Sequence, residues 1–303
     1  MADVVSAQNL VKRYGETIAV HDVSFSVQQG EIFVIVGPNG AGKTTTVEML
    51  AGLRRPDAGQ VRLLGLDPQQ DEAELRRRTG IQLQQAALPH RLKVWEALDL
   101  FASFYPQTVP LQPLMGAWGL TEKRNTAFTN LSGGQQQRLF IALALINDPE
   151  LVFLDEITTG LDPQARRATW DAIRDIRRQG KAVVLVTHFM DEAQALGDRV
   201  AIVDHGRVVA LDTPRALIAG LQAGARVCFT NPNGFDPTLL QNLEGVVTVE
   251  QHGRQVVVLG EGPLLARVSS ALLQRGIEPA DLDVQQPTLE DVFLAHTGRQ
   301  IRN

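Results

Sequence analysis

The sequence contains little cysteine and few aromatic residues. Cys228 is the single cysteine among 303 residues, and aromatic side chains make up 5% of the chain. One cysteine excludes an intramolecular disulfide framework and suits a reducing compartment. Because Cys228 lies in the apolar segment 226–230, we expect a small buried side chain there and not a reactive thiol.

Long apolar runs and an excess of basic residues are also missing. The longest apolar run, Leu139–Ile146, is far shorter than the roughly 20 residues that a membrane-spanning helix needs. The N-terminus has no basic start followed by an apolar block, so we expect no secretory signal peptide. A formal net charge of −5 offers no electrostatic footprint for nucleic acid, which we do not expect as a partner. We expect any role at a membrane to be exercised from the cytoplasm, through another chain.

Short apolar runs recur in the first two thirds of the chain, at Ile32–Val36, Leu151–Leu154 and Ala182–Val186. Runs that are apolar throughout predict strands buried on both faces, as in a parallel sheet covered by helices. Between the last two runs, Asp162 can cap a helix that begins at Pro163. The sequence therefore predicts an α/β fold with a strand–helix–strand crossover.

The stretch from about 85 to 147 is mainly helical in its pattern. Val94, Leu98, Phe101 and Tyr105 recur at helical spacing, for which core packing is the simplest interpretation. We predict a helical subdomain inserted between strands.

After about Gly224 the pattern changes to short elements. Strands are predicted at 226–230, 246–251, 255–259 and 282–286, and helices at 237–243, 264–275 and after 287. The order strand, helix, strand, strand, helix, strand is that of a ferredoxin-like unit. We therefore predict a first domain over 1–221 and a small α+β accessory domain over 225–303.

A glycine-rich loop follows the first apolar run. Residues 37–44 read Gly-Pro-Asn-Gly-Ala-Gly-Lys-Thr and match G-x-x-x-x-G-K-[ST] in full. The glycines let successive backbone N–H groups point at phosphate oxygens, and the following helix N-terminus adds partial positive charge. Lys43 would reach the β and γ phosphates, and the Thr44 hydroxyl would ligate magnesium. An ordinary glycine-rich turn is the alternative, which the strand–helix context disfavours.

Two carboxylates follow the second apolar run. Asp155 and Glu156 stand where ligand sites of open α/β sheets lie, at the carboxyl end of a strand. Asp155 is a candidate magnesium ligand, and Glu156 is a candidate to polarise the attacking water. Acids that end an apolar run are common where a strand meets solvent, so the functional interpretation depends on the loop at Lys43.

Gln84 and His188 are weaker candidates. Gln84 ends a short apolar segment and could contact magnesium and the attacking water, but Gln82 and Gln85 are neighbours, so the choice depends on register. His188 follows the third apolar run and could bind the γ phosphate. A surface or capping histidine is the alternative interpretation.

A second glycine-rich turn, Leu-Ser-Gly-Gly-Gln at 131–135, precedes a predicted helix that Ser132 can cap. One chain does not need two phosphate cradles for one ATP, whereas a pair of chains does. With this turn, the sequence resembles the nucleotide-binding subunit of an ABC (ATP-binding cassette) transporter over roughly 4–221. The motifs that carry the resemblance stand in the family's order: 37–44, Gln84, 131–135, Asp155-Glu156, Gly160-Leu-Asp162 and Thr187-His188.

The resemblance implies a P-loop NTPase fold, with an antiparallel β subdomain and a helical insert, that hydrolyses ATP with Mg²⁺. It implies that Tyr14 stacks on adenine and that further nucleotide contacts come from Gly37, Pro38, Asn39, Gly40, Ala41, Gly42, Lys43, Thr44, Thr45, Ser132, Gly133, Gly134, Gln135 and Asp162. It implies magnesium ligation by Thr44, Gln84 and Asp155, and catalytic roles for Glu156, His188 and Gln84.

The resemblance also implies a head-to-tail homodimer. Each of two ATP molecules would lie between the Lys43 loop of one chain and residues 132–134 of the other, with Asp162 communicating between the sites. Binding would close the dimer and hydrolysis would reopen it, which drives mechanical change in a partner. Because Glu156 and His188 are both present, we expect hydrolysis and not ATP binding alone.

The C-terminal residues indicate which branch of the ABC family the sequence resembles. Residues 286–299 are similar to the end of ATPase subunits of the drug-resistance and polysaccharide-exporter type, often called ABC-2. Such subunits carry a small extra domain and pair with a separate membrane permease, whose cytoplasmic helix would dock near Phe101, Phe104 and Tyr105. We expect the chain to lie on the inner face of the cell membrane. Import is not excluded by these residues, and they do not identify the cargo.

One alternative and one departure from the family remain. A soluble ABC ATPase acting on nucleic acid or ribosomes is the alternative; such proteins usually carry two cassettes or a long coiled-coil insert, and this chain has one cassette and an acidic balance. The departure is Ile157, where many relatives have proline after the catalytic glutamate. Because the carboxylates precede it, we expect little effect on the chemistry.

Overall fold

The computed structural model describes residues 3–84, 86–221, 224–231, 235–279 and 281–298. Gln85, which the sequence analysis weighed as an alternative to Gln84, lies outside these ranges. So do residues 299–303 of the predicted accessory domain. The described chain divides into two units between Pro214 and Arg215.

Strands and helices alternate through the first unit. Its elements are β1 (Asp3–Tyr14), β2 (Thr17–Gln28), β3 (Ile32–Val36), α1 (Lys43–Leu50), β4 (Ala58–Leu63), α2 (Glu72–Arg78), β5 (Thr79–Gln82), α3 (Val94–Ala102), α4 (Leu111–Ala117), α5 (Gly133–Ala144), β6 (Leu151–Asp155), α6 (Pro163–Arg178), β7 (Ala182–Thr187), α7 (Met190–Leu196), β8 (Arg199–Asp204) and β9 (Arg207–Asp212). From the division onward lie α8 (Pro214–Gly220), β10 (Ala225–Thr230), a 3-10 turn (Pro237–Leu240), β11 (Val246–His252), β12 (Gln255–Gly260), α9 (Leu264–Leu273), β13 (Asp283–Gln285) and α10 (Leu289–Thr297).

A six-stranded sheet of order β5-β6-β7-β3-β8-β9 carries the glycine loop. Every neighbouring pair is parallel except β8 and β9. All residues of β3, β6 and β7 are buried, which their apolar runs predict for a sheet covered on both faces. The α/β fold with a P-loop core is therefore confirmed. Because β3, β6 and β7 are parallel, the residues that follow them leave the sheet at one edge, its carboxyl edge.

The antiparallel β subdomain is a three-stranded sheet of order β2-β1-β4. It shares a hydrophobic core with the six-stranded sheet, in which Leu10 of β1 and Val20 of β2 are fully buried. Phe25 of β2 stacks on Phe33 of β3 with ring centroids 4.9 Å apart. This shared core holds the β1–β2 hairpin against the sheet that positions the glycine loop.

The helical insert lies between β5 and β6 and consists of α3, α4, two 3-10 turns and α5. Val94 and Leu98 are fully buried, so core packing is confirmed for the first half of the predicted stripe. The second half differs, because α3 ends at Ala102 and Tyr105 lies in the turn beyond the helix. Phe101 and Tyr105 line a surface groove instead.

The second unit contains a four-stranded antiparallel sheet of order β11-β12-β10-β13. Val227 and Phe229 of β10 pack against Val268 of α9 in its core. Cys228 between them is buried and free, as the sequence predicts. On the same strand, Arg226 forms an ion pair of 2.9 Å with Asp291 of α10.

The predicted helix at 237–243 is wrong in type and length. It is a single 3-10 turn, Pro237–Leu240, in which the Asp236 carboxylate accepts the Thr238 N–H at 3.0 Å. Between 236 and 243 the N–H groups of Leu239, Gln241 and Leu243 bond to the carbonyl three residues earlier, which is the 3-10 and not the α pattern. Within the part of the chain that the structure describes, no helix combines the length and apolar character needed to cross a membrane.

Candidate active site

The glycine loop 37–44, hereafter the Lys43 loop, connects β3 to α1. A Cβ at Gly37 would lie 2.0 Å from the Val203 carbonyl oxygen, and one at Gly42 would lie 2.2 Å from that of Ala19. Gly42 also has a φ of 94°, which L side chains rarely adopt. Both glycines are therefore required for the loop to fit between β2 and the end of β8, with the N-terminus of α1 at Lys43.

Lys43 is buried within the site, with 4% of the residue exposed. Its Nζ donates to the carbonyl oxygens of Gly37 at 2.9 Å and Pro38 at 3.1 Å, and lies 3.6 Å from Glu156 Oε1. Burial lowers the pKa of Lys43, while the charges of Glu156 and Asp155 oppose that change. The ammonium is thus held among the groups that are predicted to act on phosphate.

Asp155, at the end of β6, is a buried carboxylate whose two oxygens lack a hydrogen-bond partner of good geometry. Burial raises its pKa to about 6, an effect that the nearby Thr44 hydroxyl and Lys43 reduce. An unpaired buried carboxylate is unfavourable and calls for a cation. Mg²⁺ prefers oxygen ligands and is commonly held by one or two carboxylates together with phosphate and water, so Asp155 and Thr44 fit that ion.

Among the described residues, no group of three or more His, Cys, Asp and Glu side chains could hold a metal on its own. A magnesium ion here would therefore depend on substrate phosphates for part of its ligand set.

Glu156 is the centre of the site. Its backbone has a φ of 50°, and its N–H donates to the Val186 carbonyl at 2.9 Å. Gln84 Nε2 donates to Glu156 Oε2 at 2.8 Å, and His188 Nδ1 lies 3.4 Å from Oε1. The structure thus brings Glu156, Lys43, Gln84 and His188 together from four separate segments of the chain. A left-handed backbone at a non-glycine residue is strained and is frequent at functional sites.

The register of β5 decides among the neighbouring glutamines. Gln82 is buried in the strand, where its side chain donates to the Leu83 carbonyl. Gln84, past the end of the strand, points to Glu156. Ile157, the departure from the family, is buried and follows the carboxylates.

His188 follows β7 and packs its ring 4.0 Å, centroid to centroid, from that of Phe189. Its Nδ1 is buried, without a hydrogen-bond partner of good geometry, and faces Glu156 Oε1.

Tyr14, at the end of β1, is 42% exposed. The Arg54 guanidinium lies 5.2 Å from its ring centroid, and Arg54 Nε in turn pairs with Glu48 of α1 at 2.7 Å. An exposed aromatic ring beside α1 is suited to stacking on a base. Arg54 was not predicted, because an arginine in the turn after α1 carries no motif that would distinguish it from its neighbour Arg55.

The second glycine-rich turn, hereafter the Ser132 loop (131–135), caps α5. Ser132 Oγ accepts the Gln135 N–H at 3.3 Å, and Gln135 Oε1 accepts the Ser132 N–H at 3.0 Å, which is a capping box. Ser132 and Gly133 are exposed. Among the described residues, no hydrogen bond or ion pair joins this loop to the Lys43 loop; its bonds go to its own helix and, through the Leu131 N–H, to the Phe128 carbonyl of the preceding turn.

Asp162 lies beside the Ser132 loop. It is the N-cap of α6, where its carboxylate accepts the Ala165 N–H at 2.8 Å. A Cβ at Gly134 would approach the Ala165 Cβ to 3.3 Å, so the starts of α5 and α6 are neighbours. The helix-cap interpretation of Asp162 therefore fits, and so does a position next to the Ser132 loop.

These features define a nucleoside-triphosphate hydrolase of the ATP-binding cassette class. The sequence model of the family described as ABC transporter matches residues 20–159. A solved structure of an ATP-binding subunit of an ABC transporter has a TM-score of 0.65 at 27% identity and covers 72% of this chain and 92% of its own. A dimeric ATP-binding cassette in a post-hydrolysis state, bound to ADP and Pi, has a TM-score of 0.63 at 28% identity and covers 69% of this chain and 98% of its own.

Curated relatives cover nearly the whole chain. The Nod factor export ATP-binding protein I of Burkholderia orbicola (strain AU 1054) is 37% identical over an alignment of 309 positions, which covers 99% of this chain and 98% of that protein. The protein of the same name from Sinorhizobium fredii (strain NBRC 101917 / NGR234) is also 37% identical, over 99% of this chain and 87% of its own length. The chain therefore belongs to the ABC transporter family, as an ATP-binding and ATP-hydrolysing subunit of the exporter type.

Proposed function

We propose that Glu156 is the general base of ATP hydrolysis in this exporter subunit. The observation that carries the proposal is the convergence of Lys43, Gln84 and His188 on one carboxylate. Glu156 would take a proton from the attacking water that Gln84 helps to orient. His188 would hold the γ phosphate, and Lys43 would leave the Glu156 carboxylate to bind the β and γ phosphates.

Thr44, Gln84 and Asp155 are the proposed magnesium ligands, directly or through water. Bound magnesium would neutralise charge on the β and γ phosphates. The buried, unpartnered carboxylate of Asp155 supports this assignment, because the ion would supply the missing partner. Tyr14 is the proposed adenine platform, and residues 37–45 supply the remaining contacts to the phosphates.

The second half of each ATP site is proposed to come from a second copy of this chain. The Ser132 loop has exposed residues, Ser132 and Gly133, at a helix N-terminus, so it can receive phosphate across a dimer interface. Asp162, next to that loop, would sense the neighbouring site. The dimeric cassette bound to ADP and Pi, which this chain resembles, supports such an arrangement.

The membrane partner is proposed to be a separate permease through which cargo is exported, with this chain attached to its cytoplasmic side. The groove near Phe101 and Tyr105, of about 390 Å³, is the proposed dock, and Phe104 beside it is 66% exposed. No nucleic-acid partner is proposed, because the net charge is −5. Residues 225–303 are proposed to be a ferredoxin-like accessory domain, which the strand order of the second sheet supports.

The catalytic proposal is tested with Lys43→Ala in the full-length chain. We expect loss of ATP binding, measured by calorimetry, and loss of Mg²⁺-dependent phosphate release. Lys181→Ala is the matched control, since Lys181 is a lysine of the same unit that pairs with Asp148 outside the site. Full phosphate release by the Lys43 variant would contradict the proposal.

The docking proposal is tested with Phe104→Glu in cells that carry the native membranes. We expect the tagged variant to lose co-purifying membrane proteins with several apolar spans while it still binds ATP. Leu273→Glu, at an apolar position of the second unit that is 55% exposed, is the control and should keep those proteins. A full set of membrane partners with the Phe104 variant would rule this dock out.

A further inference from the structure

A buried carboxylate beside the site joins three segments of the first unit. Glu192 of α7 is 0% exposed. Its Oε1 accepts a hydrogen bond of 2.7 Å from Trp170 Nε1, and its Oε2 accepts one of 3.1 Å from Thr158 Oγ1. The Thr187 hydroxyl is a third donor, and burial raises the pKa of Glu192 against the effect of these three groups. The hydrogen bonds compensate the carboxylate for its loss of water.

The donors come from the two segments that flank the reacting groups. Thr158 lies in the segment 156–162, which begins with the proposed base and ends with Asp162. Thr187 precedes His188, and its Oγ1 also accepts the Phe189 N–H at 3.0 Å. A chain of hydrogen bonds therefore runs from Phe189 through Thr187 and Glu192 to Thr158. Neither Glu192 nor Trp170 is a proposed nucleotide contact.

A second link joins the same two regions. The guanidinium of Arg166, one turn into α6 after Asp162, lies 4.3 Å from the Phe189 ring centroid. Arg166 also approaches Asp191 of α7 to 3.8 Å. The start of α6 and the residues after β7 are thus tied on both sides of His188. Because both oxygens of the buried Glu192 carboxylate are hydrogen-bonded, we expect this junction to be rigid.

We propose that Glu192 is a positioning residue that locks the segment 156–162 to the residues around His188. The placement of Asp162 against the second chain and the placement of His188 in the site then change together. The inference rests on the proposed roles of Asp162 and His188. Glu192 acts through its donors and touches no reacting atom.

The first test is Glu192→Gln in the full-length chain. The variant keeps the size of the side chain but places an NH₂ group against donors, so the lock is broken. We expect kcat for phosphate release to fall about tenfold, with the KM for ATP changed by less than about threefold. Glu31→Gln is the matched control, since Glu31 is buried too, accepts the Gln28 N–H at 2.7 Å and lies at the opposite end of β3. It should leave kcat within about twofold. A Glu192 variant with the control's kcat would overturn the inference.

The second test separates a lock from a general packing role. Asp162→Ala and Glu192→Gln are measured singly and together. If both act through one rigid junction, the kcat of the double variant should be close to that of the single variant with the lower kcat. If the two losses multiply in full, the coupling does not exist and the inference is wrong, while the proposed role of Asp162 stands. If Asp162→Ala leaves kcat unchanged, both the inference and the proposed role of Asp162 are overturned.

Trp170→Phe provides a second test in case the Glu192 variant fails to fold. It keeps a ring at the position and removes only the N–H that donates to Glu192 Oε1. We expect a smaller loss in kcat, about threefold, with the same non-additivity toward Asp162→Ala. Thermal unfolding identifies a variant that fails to fold, and in that case the Trp170 cycle decides: additive losses overturn the inference.

Discussion

The two glycine-rich turns of this chain differ in what surrounds them. The Lys43 loop is packed between β2 and β8, and its lysine is buried among a carboxylate and two carbonyl groups. In the Ser132 loop, Ser132 and Gly133 are exposed, and Ser132 and Gln135 bond each other in a capping box at the start of α5. Both turns present N–H groups at a helix start, yet only the first is surrounded by catalytic side chains. This difference supports the proposal that one chain supplies the Lys43 side of each ATP site and a second copy supplies the Ser132 loop.

The largest expected effect concerns the site around the Lys43 loop and is tested with Glu156→Gln. We expect kcat to fall by about a factor of a thousand, because the amide cannot accept the proton of the attacking water. ATP binding should persist, and the ATP-bound variant should accumulate as a closed dimer in size-exclusion chromatography. Glu150→Gln is the control, since Glu150 pairs with Arg78 away from the site. Hydrolysis at the normal rate by the Glu156 variant would make the base assignment wrong.

The exposed side is tested with Ser132→Asp. Aspartate is as good a helix cap as serine, so α5 should keep its start, whereas the added negative charge would repel phosphate across the interface. We expect hydrolysis to fall about a hundredfold while a single chain still binds ATP in calorimetry. Thr288→Asp, at the N-cap of α10, controls for the cap exchange. If both variants hydrolyse ATP equally well, the Ser132 loop is not part of the site.

Asp155→Asn tests the buried surroundings of the Lys43 loop through the pH dependence of the free energy of unfolding. The folded chain raises the pKa of this carboxyl from 3.8 to about 6, so the folded state binds its proton more firmly than the unfolded state does. The stability that comes from this proton is complete below pH 3.8 and is lost as pH rises through about 6. In the nucleotide- and metal-free chain, the variant should gain about 3 kcal/mol above that window and nothing below it.

Urea unfolding at pH 8 and at pH 4 measures this gain, with EDTA present. Asp148→Asn, at an exposed carboxylate outside the site, should show no such gain. A wild-type chain as stable as the Asp155 variant at pH 8 would contradict the buried, unpaired state of Asp155. Mg²⁺-dependent phosphate release should fall in the variant although its stability rises.

The smallest expected effect concerns Tyr14. Loss of a stacked, partly exposed ring costs about 1 kcal/mol, so Tyr14→Ala should weaken ATP binding about fivefold. Tyr14→Phe keeps the ring and should bind like the wild type. Binding of GTP and ATP in parallel by calorimetry checks the base contact. Unchanged affinity in the alanine variant would mean that adenine stacks elsewhere.

Local pattern was sufficient wherever the chemistry is contiguous in sequence. The apolar runs before the Lys43 loop, Asp155 and Thr187 predict their strands, because a strand covered on both faces needs no polar residue. Asp162 predicts the start of α6 because a carboxylate satisfies free N–H groups there. The pattern failed at 237–243, because the spacing of apolar residues does not distinguish the 3-10 bonds found there from those of an α-helix. It also extended α3 past Ala102 to Tyr105.

The sequence by itself determined the α/β fold, the phosphate loop, the acidic pair and the family, because each is written in neighbouring residues with a fixed spacing. Only the tertiary structure decided that Gln84, and not Gln82, meets Glu156, because the register of β5 buries one glutamine and leaves the other at the carboxyl edge. It alone revealed Glu192, which looks like an ordinary acid in the first turn of a helix. Its donors Thr158, Trp170 and Thr187 are 34, 22 and 5 positions away along the chain. Packing in the folded chain brings such residues together whatever their separation in sequence, and no local spacing predicts it.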